Sequence, residues 1–135
     1  MANALYGLGR EGFLGGDIDW DANTVKAMLV DSGQYTVAID TDQFLSDVPA
    51  GARIASSAAL SSKTKTLGVA GAGNVVFAAV TGVTVEAVVL FQDTGTEATS
   101  RLIAYIDTAT GLPVIPNGGD INVNWDTGAN KIFKL

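Results

Sequence analysis

Asp17, Asp19, Asp21 and Asn23 are spaced D-x-D-x-D-x-N, the opening of a calcium-binding loop. Two later positions break the pattern. Ala22 stands where the sharp turn of such a loop wants glycine, and Met28 where its bidentate glutamate belongs. Read as a strand, the four polar side chains share one face and Ile18 and Trp20 the other, an acidic edge that discourages pairing with a second chain. We therefore expect no metal here. Gly7, Gly9 and Gly12 satisfy G-x-G-x-x-G, but only six residues precede Gly7, too few for the strand that a dinucleotide fingerprint needs. No Walker motif and no G-x-S-x-G is present. Acid pairs such as Asp93 and Glu97 are the raw material of glycoside hydrolysis, yet 14 acidic residues make such pairs unavoidable. Trp20 and Trp125 are candidates for a sugar-stacking platform, although a tryptophan on an alternating strand more simply packs in the core. The chain has no histidine and no cysteine, which excludes Ser-His and Cys-His nucleophile systems and leaves structural zinc without its usual ligands. The expectation is a protein that is not an enzyme, with no catalytic residues and no cofactor.

The composition points to structure and contact. The 135 residues fit one domain. Of these, 47% are hydrophobic and only 16% charged, so much of the surface is neutral polar and loses little hydration when covered. The net charge of −6 opposes nucleic acid, which needs clustered Lys and Arg. No basic segment followed by a long apolar run opens the chain, as a signal peptide would require. The longest apolar run, Val75 to Val80, is far short of a membrane span. Synthesis in a cytoplasm, with no nucleic-acid and no membrane partner, is expected.

Strand signals then position these residues. Val25–Val30, Val75–Val80, Val85–Phe91 and Leu102–Ile106 are compact apolar runs, as strands covered on both faces require. Arg53–Ala55 and Thr64–Leu67 are weaker. Ile121, Val123 and Trp125 alternate with polar residues, which predicts one buried and one wet face. Asp93-Thr94-Gly95, Asn117-Gly118-Gly119 and Asp126-Thr127-Gly128 mark reversals. A short helix or docking arm is expected over residues 1–16, ended by Gly15-Gly16, and another helical turn near Asp42–Ser46. Residues 17–135 are expected to form a single β-sandwich, all-β and jelly-roll-like, with Val75, Phe77, Val89, Phe91, Ile103, Tyr105, Ile121, Val123 and Trp125 in its core.

Several stretches carry a resemblance. The opening Met1-Ala2-Asn3-Ala4-Leu5-Tyr6, Arg10-Glu11-Gly12-Phe13-Leu14, Ile18-Asp19-Trp20-Asp21 and Phe44–Pro49 are joined by Thr99–Asp107, Thr110–Val114, Pro116–Ile121 and Gly128–Leu135. Across nearly its whole length the chain resembles a family of small tailed-bacteriophage virion proteins, in particular head decoration (cement) proteins. That resemblance implies a structural protein on the exterior of a phage head, made in the host bacterial cytoplasm, binding the major capsid protein and copies of itself. It brings no catalytic residues. The alternatives are another virion part, in the neck, tail or baseplate, or a carbohydrate-binding module of a receptor-binding device. Leu5, Tyr6, Leu8, Phe13 and Leu14 near one end, and Phe133 and Leu135 near the other, are the candidate partner contacts. They are apolar residues in segments whose glycines or position give them little to bury against.

Overall fold

The compact apolar runs of the sequence supply the middle of the protein. The computed structural model describes residues 3–135. In chain order its elements are β1 (Ala4–Leu5), α1 (Gly7–Gly15), β2 (Val25–Val30), β3 (Arg53–Ser56), β4 (Val69–Ala70), β5 (Val75–Phe77), β6 (Ala87–Gln92), β7 (Leu102–Ile106), β8 (Ile121–Val123) and β9 (Phe133–Lys134), with 3-10 turns at Leu45–Asp47, Ala50–Ala52 and Thr66–Gly68. Five strands form one sheet in the order β1-β7-β6-β2-β3, and two small sheets pair β4 with β9 and β5 with β8. Every pair is antiparallel. The fold is thus mostly β with one short helix, and the sheets do not close on one another.

Alternation along β2, β6 and β7 sends side chains to two separate cores. Ala27, Leu29, Val88 and Leu90 face one, shared with Trp20, Val75 and Phe77. Met28, Val30, Val89 and Phe91 face the other, shared with Tyr6, Tyr35 and Val48. The two small sheets contribute Val75, Phe77, Ala70 and Phe133 to the first core. Side chains from the segment between β2 and β3 cover the second, which explains why all six residues of β6 are buried. Two register shifts, between Leu29 and Val30 and between Leu90 and Phe91, mark bulges. At the second, Ile103 is the unpaired extra residue, and it joins Ala104 on the first face.

The arm-like alternative for the N-terminal segment is corrected. β1 pairs with β7. Asn3 caps the following loop: its side-chain oxygen accepts from the backbone N–H groups of Asp107 and Thr108, and its amide donates to the Thr108 carbonyl. Glycines inside a helix cost stability relative to alanine, but in α1 they let the helix sit against β7. A Cβ on Gly9 would stand 2.5 Å from the Leu102 carbonyl oxygen, a backbone atom that cannot swing aside. A Cβ on Gly12 would crowd Ile18 and Arg101 at 3.0 and 3.2 Å. Gly16, left-handed at φ 81°, ends the helix, its N–H bonding back to the Phe13 carbonyl. Gly9→Ala should therefore destabilise the protein by about 1–3 kcal/mol, although alanine favours helices. A urea midpoint equal to or above wild type would show that α1 does not press on β7.

One strand falls well short of its apolar run. The run from Val75 was expected to be a central strand. It pairs only over Val75–Phe77, in a small sheet, and turns where Ala79 takes φ 50°. The central strand is β6. Val75, Phe77, Val89, Phe91, Ile103 and Tyr105 are buried as expected, whereas Ile121, Val123 and Trp125 are only half-buried, because β8 lies at the margin of the first core.

Candidate functional site

Each polar motif of the sequence has a local structural job. Asp19 Oδ1 accepts the backbone N–H groups of Asp21 and Ala22, both at 3.0 Å, and Asn23 Oδ1 accepts those of Asp19 and of the Gln92 side chain. These bonds close a turn leading into β2. They hold the Asp19 carboxyl below its ordinary range, helped by Lys65 and Lys63. Asp21 pairs with Lys65 at 3.0 Å and Asp17 with Arg101 at 3.3 Å. The expected acidic strand edge is instead this turn. Among the described residues no cluster of acids could hold a metal ion.

The loop from Asp93 to Ser100 is bonded to itself and to the sheet. Asp93 accepts from Lys26 at 2.7 Å and from the Gly95 N–H, and both interactions lower its pKa. Thr94, Thr96, Thr99 and Ser100 bond among themselves. Arg53 donates to the Leu45 and Val48 carbonyls and to Glu97, with 2.6 Å to Oε1, pinning this loop to the turn at Leu45–Asp47. Glu97 is held below the usual carboxylate range by that guanidinium. The Asp93 and Glu97 side chains thus serve separate cations, not one shared substrate position.

A buried chain of hydroxyls lies in the second core. Tyr6 and Tyr35 oxygens are 3.0 Å apart, and Tyr35 donates to Asp42 at 2.6 Å. Burial pushes both phenols far above the ordinary tyrosine range. For Tyr35 the bonds to Asp42 and Tyr6 add to the rise. A raised folded-state pKa means stability is intact below the unfolded value near 10 and falls as pH rises above it. Thermal melts should therefore hold steady up to about pH 9 and fall above pH 10. The fall should be shallower in Tyr35→Phe than in wild type. Equal slopes would remove the two phenols from the alkaline transition.

The candidate partner contacts divide sharply. Tyr6 is fully buried among Tyr35, Met28 and Tyr105, so it is corrected from a contact to a core residue. Leu5 and Phe13 pack against the first core and Leu8 is half-buried. Phe133 packs against Trp20 edge-on at 5.3 Å and against Phe13 at 5.9 Å. Leu14 and Leu135 remain outside, 91% and 57% exposed. A groove of about 310 Å³ runs between α1 and the β4–β9 pair, walled by Phe13, Ile18, Ala70, Phe133 and Leu135 with Asp19 and Lys65 at its edge. Leu14 follows Phe13 in the helix. Leu67, 90% exposed and held at φ 56°, precedes Gly68 of the same groove. The weak strand expected over Thr64–Leu67 is instead a single bridge at Thr64 followed by the 3-10 turn Thr66–Gly68, which turns Leu67 outward.

Trp20 is buried, and its indole N–H donates to the Gly71 carbonyl at 3.3 Å. It belongs to the core and offers no open ring. No helix among the described residues is long and apolar enough to cross a membrane. No protein-family model matches the chain, and no curated protein matches it either.

Proposed function

We propose that this chain is a structural subunit of a tailed-phage virion, a head decoration protein that binds the outer surface of the shell and clamps neighbouring major capsid protein subunits. In this reading the central sheet and the two small sheets are the layers of a β-sandwich of jelly-roll kind. The resemblance described above motivates the role. The observation that carries it to a surface is the groove between α1 and β9, where Phe13, Phe133 and the exposed Leu135 line an apolar concavity next to the helix that also carries the exposed Leu14. Scattered apolar residues on a surface are ordinary, but a group around a concavity suits a contact. Association would come from covering that apolar area, at about 25 cal/mol per Å² before the costs of binding. Repetition over a symmetric lattice multiplies a modest contact. The acidic surface suits the outside of a shell, away from packaged DNA.

Shells lacking their decoration supply the test. Leu14→Asp combined with Leu135→Asp changes only exposed side chains, so the variant should melt within about a degree or two of wild type. Its affinity for the shells should fall at least tenfold, about 1.4 kcal/mol. Wild-type occupancy by a folded variant would move the contact elsewhere on the molecule.

A further inference from the structure

A second and larger cleft, about 750 Å³, opens between the central sheet and β8. Its floor holds Leu29 and Val88, both buried. Its walls hold Ile106, Ile121, Val123 and Trp125, each only half-buried, so the first core is unfilled along this side. Every residue from Asp120 to Asp126 borders the cleft, although the side chains of Asn122 and Asn124 lie on the outward face with Val76. The cleft therefore runs along the backbone edge of this stretch that is not paired with β5. The Trp125 backbone N–H donates to Asn74 Oδ1 at 3.0 Å and its indole N–H to the Gly73 carbonyl at 2.9 Å, which directs its backbone to the β5 side. Alternation then turns the N–H and carbonyl of Asn122 and Asn124 toward the cleft. Among the described residues the Asn124 backbone has no hydrogen-bond partner. Asp120 and Asp126 bracket the edge. Both are exposed, and each accepts one backbone N–H, from Ala79 and Gly128 respectively. Neither forms an ion pair among the described residues, with Lys131 of the same cleft or any other cation. These charges select the occupant. A second copy pairing antiparallel about Val123 would set Asp120 of each copy against Asp126 of the other, and like charges opposed across strands destabilise the pair. A strand with a basic residue at each end meets both carboxylates favourably.

We propose that this edge takes up, by strand addition, an extended segment of another protein in which apolar and polar residues alternate between two basic ends. Its apolar side chains enter the cleft beside Ile121, Val123 and Trp125. Its main chain bonds to Asn122 and Asn124, and its basic ends meet Asp120 and Asp126 on the outward face. This edge is separate from the groove beside Phe133, so it does not depend on the shell-binding role. The full chain, labelled with 15N, is titrated with blocked heptapeptides. These carry lysine at both ends, threonine at the third and fifth positions, and valine, leucine or phenylalanine at the others. At least one should shift the Trp125 indole and the backbone amides of Asn122 and Asn124, with saturation. Glutamate in place of the terminal lysines, or N-methylation of the peptide amides that face β8, should each weaken binding at least tenfold. The double variant Asp120→Asn/Asp126→Asn keeps the oxygens that accept from Ala79 and Gly128, so it should fold normally. It should bind the lysine-ended peptide at least threefold more weakly. Failure of every peptide to bind at millimolar concentration overturns the proposal. So does equal binding of lysine-ended and glutamate-ended peptides, or binding indifferent to N-methylation or to the double variant. Shifts that centre on Phe13 and Phe133 also overturn it, as does self-association through residues 120–126, which would make a second copy the occupant.

Discussion

Phe77→Ala should lower the unfolding free energy by roughly 3–5 kcal/mol. Phe77 lies in a three-residue strand outside the central sheet, yet it is buried in the first core. Its partner across β8 is Ile121, and Val75, also in that core, lies two residues away on the same face. Removing the ring leaves a cavity that the neighbouring β-strands can fill only by shifting backbone, so the cost combines lost transfer energy and cavity formation. Urea denaturation followed by far-ultraviolet circular dichroism measures it. A loss below about 1 kcal/mol would mean that the β5–β8 pair does not press on the central sheet. By contrast Val76, on the outward face of the same strand and 57% exposed, should accept threonine or lysine at a cost within about 0.5 kcal/mol.

Deleting residues 2–14 should abolish folding. The deletion removes Tyr6, whose side chain is fully buried and whose hydroxyl lies within hydrogen-bonding distance of the Tyr35 hydroxyl. It also removes β1, exposing the edge of β7, and Asn3, which caps the backbone at Asp107 and Thr108. Loss of Tyr6 alone would open a cavity costing several kcal/mol, on the scale of the whole stability of a domain this size. The truncated chain should give a disordered circular-dichroism spectrum, or precipitate. A folded truncated domain with a cooperative melt would restore the N-terminal segment to the status of a detachable arm.

Val25–Val30 and Leu102–Ile106 were legible as strands to the residue, because burial on both faces demands an unbroken apolar run and nothing local competes. Val75–Val80 carried the same signal but pairs for only three residues, since the chain turns at Ala78-Ala79 and Val80 exchanges backbone hydrogen bonds with the distant Gly118 and Gly119 instead. In a sequence, the glycines of α1 signal only a weak helix. The purpose of Gly9, a close approach to the Leu102 carbonyl, depends on a contact some ninety positions away. The candidate contacts were legible as apolar residues near both ends. Which of them face water was not, because Tyr6 and Leu14 look alike until β1 and α1 are seated: the first is sealed under the sheet and the second stands in solvent. Leu67 was expected to end a weak strand, whereas it lies in a 3-10 turn at φ 56° and stands exposed.

Quantitative mass spectrometry of tailed-phage particles purified from cells that produce this chain tests the proposed decoration role most directly. The account predicts that the protein co-purifies with full heads in a fixed whole-number ratio to the major capsid protein, at a copy number comparable to the capsid subunits themselves. Absence from the particles, or presence at only a few copies each, would contradict it.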